Sequence, residues 1–113
     1  MSLDVRLEKD WCSVCDRGDV VYRDNITHNL GKMAEEAGVY LHLWRPEELG
    51  LVTASQLVKP LEEALVAMER DPPPYIRWSP ANGWGSYASL VLFIRDYLKA
   101  CREYPQARIS VSR

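Results

Sequence analysis

The two ends of this chain carry the same short pattern, and that pattern constrains the fold most. Asp4-Val5-Arg6-Leu7-Glu8 alternates polar and apolar residues, and Arg108-Ile109-Ser110-Val111-Ser112 does so again. Period-two alternation marks a half-buried strand, whose side chains point to opposite faces in turn. A lone strand leaves its N–H and C=O groups unpaired, which is costly away from water. The two ends therefore predict one small antiparallel sheet that closes the chain on itself. Val20-Val21-Tyr22 is a candidate third strand.

Three helical patterns lie between these ends. In the first, Ile26, Leu30, Met33, Ala34 and Ala37 share a face, with Asp24 or Asn25 as the cap and Gly38 as the end. In the second, Leu57, Val58, Leu61, Ala64, Leu65 and Met68 form one stripe. Thr53 and Gln56 have capping-box spacing there, and Pro60 is expected to kink the helix or move its start. In the third, Tyr87, Leu90, Val91, Ile94, Tyr97, Leu98 and Cys101 make a stripe over four turns behind an N-cap at Ser86. Leu92 and Phe93 widen its apolar surface, which predicts the central helix. Val39 to Gly50 mixes both periods, and Pro46 after Arg45 favours short helical pieces. Pro72-Pro73-Pro74 reads as a stiff connection between helices. The expectation is an α+β fold: three main helices packed on a small antiparallel sheet formed by the N- and C-terminal strands. A chain of 113 residues fits a single globular domain over residues 1–113.

Composition narrows the function classes. The chain is 47% hydrophobic and 27% charged, an ordinary globular balance that argues against disorder. Its net charge is −2, and no three basic residues run together, so a nucleic-acid partner is disfavoured. Apolar runs such as Leu90 to Ile94 are too short to span a bilayer, so no membrane role is expected. The N-terminus lacks an apolar signal core, which makes the expected location cytoplasmic. An odd set of cysteines, Cys12, Cys15 and Cys101, suits free thiols in a reducing compartment.

Two polar-aromatic blocks are richer in amides, aromatics and glycine than a helix start requires. They are Asn25-Ile26-Thr27-His28-Asn29-Leu30 and Asn82-Gly83-Trp84-Gly85-Ser86-Tyr87. His28, beside Asn25, Thr27 and Asn29, is the best acid-base candidate, because histidine titrates near neutrality. Its plainer reading is a partly exposed histidine bonding a neighbouring loop. No serine or cysteine is tied to it by a motif, so no nucleophile is identified. Gly83 and Gly85 let the backbone approach something closely, and the free amides of the following helix start favour an anion. The plainer reading there is that Trp84 plugs the core while the glycines turn and Ser86 caps. Tyr75, Trp78, Trp84 and Tyr87, with Arg77 and Asn82, can stack on a flat ligand, anchor a partner, or staple the proline-rich loop to the domain. Glu47-Glu48 and Glu62-Glu63 read as solvated helix faces.

Cys12-Ser13-Val14-Cys15 has the spacing that lets two thiolates share a metal. A structural zinc needs two more ligands, drawn from His28, His42, Asp16, Asp24 or Cys101, and none stands at metal spacing. No stoichiometric zinc is expected; unmodified loop thiols are the plainest reading, with a metal site and redox chemistry as the two alternatives.

Taken as a set, Ile26-Thr27-His28-Asn29-Leu30, Leu43-Trp44-Arg45-Pro46-Glu47-Glu48, Asn82-Gly83-Trp84-Gly85-Ser86-Tyr87 and Val111-Ser112-Arg113 resemble a group of small uncharacterised proteins of bacteria and their phages. The likeness covers most of the chain from residue 25 onward. It implies a cytoplasmic microbial protein and transfers no catalytic residue.

The function expected is a non-catalytic binding or interaction module, without a cofactor, that takes a small polar ligand or a protein partner. Its surface would gather Asn25, Thr27, His28, Asn29, Trp44 and Arg45 with Asn82, Trp84, Gly85, Ser86 and Tyr87. One alternative is a small enzyme with His28 as acid-base and an anion held at the start of the third helix. Another is a zinc-stabilised module built on Cys12 and Cys15. The sequence sets no oligomeric state.

Overall fold

The computed structural model describes residues 2–12, 14–15, 17–80 and 85–113. Its sheet is antiparallel, with strand β1 (Ser2–Cys12) between β2 (Arg17–Thr27) and β3 (Arg108–Ser112). The two ends of the chain pair as their alternation predicts. Val5 lies opposite Val111 and Leu7 opposite Ile109. Val5 and Leu7 are fully buried, and Ile109 and Val111 pack against the same core. On the outer face Arg6 Nη2 donates to Ser110 Oγ at 3.1 Å. The far side of β3 is closed too, since the Ile109 N–H donates to the Val52 carbonyl at 2.8 Å.

The first helical pattern needs correction. β2 runs on to Thr27, and only then come a 3-10 turn (His28–Leu30) and the short helix α1 (Gly31–Glu36). Ile26 and Thr27 are β-branched and pair across the ladder with Leu3 and Ser2, so non-local hydrogen bonds override the helical period. The periodicity still picked the right side chains: Ile26 is buried from the strand, and Leu30, Met33 and Ala34 from the helical side. Thr27, rather than Asp24 or Asn25, is the cap, its Oγ1 accepting from the Asn29 N–H at 3.3 Å. Asp24 instead accepts from the Tyr22 hydroxyl and the Asn25 N–H.

Val39 to Gly50 forms short helical pieces, as Pro46 predicts: α2 (Tyr40–Trp44) and a 3-10 turn (Pro46–Leu49). α3 (Ser55–Arg70) contains Pro60 inside the helix, where it removes one backbone donor. Gln56 Oε1 accepts from the Thr53 N–H at 3.0 Å, the return half of a capping box. Instead of a plain connection, Pro73 and Pro74 open the single turn α4 (Pro73–Ile76). α5 (Tyr87–Glu103) begins at Ser86, whose hydroxyl accepts from the Ser89 N–H at 3.1 Å. Of the two residues expected to widen its apolar face, Phe93 is buried, while Leu92 is 55% exposed.

α5 packs on α3 and on β2, and the core lies between these helices and the sheet. Trp44 and Tyr97 are its largest fully buried side chains. Tyr97 stacks on Tyr22 of β2, with ring centroids 5.8 Å apart and planes 9° from parallel. The architecture is α+β. Among the described residues no helix is long and apolar enough to cross a membrane.

Candidate functional site

The candidate residues fall into two neighbouring groups. The first surrounds His28. Trp44 Nε1 donates to His28 Nδ1 at 2.8 Å. An indole N–H only donates, so His28 Nδ1 acts as acceptor and the proton of the neutral ring sits on Nε2. The second ring nitrogen of His28 is therefore the donor, and the nitrogen with the free electron pair is already occupied. Trp44 is 2% exposed, which corrects its expected place on a surface. Its ring stacks on Tyr40 at 5.3 Å between centroids, and its carbonyl accepts from Arg113 Nη1 at 2.8 Å. Arg113 also pairs with Glu47. Gly31 leaves the space that Tyr40 fills; a Cβ there would lie 3.4 Å from the Tyr40 ring. Arg45 is exposed and pairs with Glu48 at 3.2 Å.

The second group is where the two sequence blocks meet. Gly85 has φ +99, a conformation that side chains disfavour, and a Cβ there would stand 2.7 Å from Thr27 Cγ2 and 3.0 Å from Leu30 Cγ. Glycine thus lets the segment leading into α5 seat directly on the end of β2. Beside this contact lies an open groove of about 380 Å³. Asp24, Asn25 and Thr27 line it from β2, and Gly85, Ser89 and Asp96 from the α5 side. Ile26, Leu92 and Phe93 supply its apolar part. A second groove of about 420 Å³ continues along α5 and shares Asp24 and Asp96 with the first.

Other candidates serve the framework. Ser86 is engaged as a cap, and its hydroxyl also lies 3.0 Å from that of Ser89. The Tyr87 hydroxyl donates to the Met68 carbonyl at 2.6 Å, tying α5 to α3. Asn29 is exposed and gives its N–H to Thr27. Asn82, Gly83 and Trp84 lie outside the described residues. Trp78 Nε1 and Arg77 Nη2 both donate to Glu36 Oε1, at 3.3 and 2.8 Å. Lys32 Nζ stands 5.5 Å from the Trp78 ring centre. These contacts staple the proline-rich segment to α1.

The sequence reading missed Ser89 and Asp96 in the groove, and it considered Asp24 only as a cap or as a zinc ligand. Ser89, Leu92, Phe93 and Asp96 step along one flank of α5 at helical spacing, so polar residues bordering the apolar stripe were the available signal. The other histidine, His42, stands apart on α2, where burial pushes its pKa down. Cys12 and Cys15 sit at the turn joining β1 to β2, and Cys101 is buried in α5. Among the described residues no group of three or more His, Cys, Asp or Glu side chains could hold a metal. No protein-family model, curated protein or solved structure matches this chain, so its geometry alone carries the functional reading.

Proposed function

We propose that this protein is a non-catalytic binding module whose site is the groove between the end of β2 and the start of α5. The observation that carries this reading is the seating of Gly85 on Thr27 and Leu30, which gives the polar groove a close-packed, glycine-dependent base. The lining chemistry names the ligand class. Asn25, Thr27 and Ser89 offer groups that both donate and accept hydrogen bonds, and Asp24 and Asp96 add two carboxylates. That field favours a small ligand with a cationic amine and a short apolar body over an anion. The occupied Nδ1 of His28 weighs against a general base and so against the enzyme alternative.

The test is a titration of the whole protein with spermidine, arginine, a neutral sugar and inorganic phosphate, followed by backbone amide shifts. An amine should move Asn25, Thr27, Gly85 and Ser89 together, and Asp96→Asn should weaken that response at least tenfold. Shifts at Gly85 and Ser86 with phosphate alone, lost in His28→Ala, would replace this reading with the anion-binding enzyme. No response from any probe at these amides would remove the groove as a site.

A further inference from the structure

A cysteine pair stands at the tip of the β1–β2 hairpin. β3 pairs with β1 only from Asp4 to Glu8, so the rest of β1 continues beyond it as a two-stranded ribbon with β2. Cys12 closes that ribbon opposite Arg17, and Cys15 lies in the turn. The turn folds back on itself: the Cys15 N–H donates to Cys12 Sγ at 3.3 Å. Cys15 is exposed, Cys12 is half-buried, and Val14 between them is 94% exposed, so the tip is open to reagents. Cys101, the third cysteine, is fully buried.

We infer that Cys12 and Cys15 form a reactive dithiol that exchanges with low-molecular-weight disulfides, Cys12 attacking and Cys15 resolving. The two roles follow from the hydrogen bonds. The backbone N–H of Cys15, and then its thiol, stabilise a negative charge on Cys12 and hold its pKa below the ordinary thiol value. The same contact holds the Cys15 proton in place and pushes that thiol up. Hydrogen bonds on one sulfur thus make one nucleophile and one reserve thiol.

The chemistry balances without another reactant. The Cys12 thiolate attacks one sulfur of R–S–S–R, a Cys12–S–S–R bond forms, and R–S⁻ leaves and takes a proton from water. Cys15 then loses its proton to water, and its thiolate attacks Cys12 Sγ. The Cys12–Cys15 bond forms and the second R–S⁻ leaves. Two protein thiols are oxidised, one disulfide is reduced to two thiols, and an excess of thiol runs the sequence backwards. The second step is intramolecular, with the resolving residue already held against the sulfur it attacks, so it outruns capture by a second disulfide molecule. The pair carries little of the fold, because the strand register is set by the ladder and the core lies beyond the ribbon.

Lys9 and Arg17 bracket both cysteines, so trypsin releases them in one fragment, residues 10–17. The folded protein is equilibrated with mixtures of reduced and oxidised glutathione, quenched with acid, alkylated and digested. Fragment 10–17 should escape alkylation and appear two hydrogens lighter than its free dithiol as the mixture becomes more oxidising, while Cys101 stays reduced and is alkylated once unfolded. Cys15→Ser should trap glutathione on Cys12. Cys15 in a Cys12→Ser protein should react at least ~10-fold more slowly than Cys12 in the Cys15→Ser protein. The inference falls if the fragment remains a dithiol in oxidised glutathione, if it gathers two glutathiones with no internal bond, or if the two single cysteines react at equal rates. One zinc bound per chain and lost in Cys15→Ser would likewise overturn it, making the pair a metal site.

Discussion

A single hydrogen bond decides what His28 can do. Because Trp44 Nε1 occupies its Nδ1, the ring is oriented and its other nitrogen is a donor. The bond should be measurable as a coupling. In a double-mutant cycle of His28→Ala and Trp44→Phe, read by urea unfolding, the interaction should be about 0.5–1.5 kcal/mol. Zero coupling would mean that the pair does not form in solution. Trp44→Ala should cost about 3–5 kcal/mol, because it empties a core site beneath Tyr40. Cys101 gives a second test. Burial pushes its thiol from an ordinary 9.0 up to about 12. Below pH 9 the thiol is neutral in both the folded and the unfolded chain. Between these values the unfolded chain loses this proton while the folded chain keeps it, so stability falls as pH rises. Burial raises the Tyr97 phenol in the same direction. Unfolding followed by circular dichroism across this window should show a decline that is shallower in Cys101→Ala. An identical slope would mean that the thiol titrates normally.

The start of α5 is where sequence and element agree best, and where two elements meet. Ser86 caps α5 with a local bond to the Ser89 N–H, and Ser86→Ala should cost about 1 kcal/mol. Its neighbour Gly85 answers to tertiary structure. Gly85→Ala meets both a positive φ and the Thr27 side chain, so it should cost more than Ser86→Ala, about 1–3 kcal/mol from backbone strain alone, with the clash in addition. Equal losses in the two variants, measured by denaturant midpoint, would show that this segment does not seat on Thr27. The ion pairs between α3 and α5, Arg95 with Glu69 and Arg102 with Glu62, lie on the exposed rim and add little.

At the scale of the molecule, the chain is closed by its last strand. β3 pairs with β1, carries Ile109 and Val111 against the core, and receives the chain after Ala107, whose carbonyl accepts from the Ala54 N–H at 2.8 Å. Removing residues 107–113 strips a ladder and two partly buried side chains, and should lower Tm by at least ~10 °C. It also frees the edge of β1 and should promote association. A melting curve unchanged by this deletion, with no new aggregation, would contradict the closed sheet.

Alternation at Val5, Leu7, Ile109 and Val111 and the stripes of α3 and α5 were readable from the sequence alone, because side-chain period is a local property and the burial it predicts is large. Ser86 was readable for the same reason, since a cap bonds within its own first turn. The end of β2 was not. At Ile26 and Thr27 a helical period and a strand competed, and the winner depended on Leu3 and Ser2, more than twenty residues away in the chain. The site was divided in the same way. The sequence marked Thr27 and Gly85 as unusual, but only tertiary packing brought them into contact, buried Trp44 against His28, and turned the Ser89–Asp96 flank of α5 into a groove wall. A residue's chemistry is written in its own side chain, whereas its neighbours are set by long-range pairings whose free energies no local pattern contains.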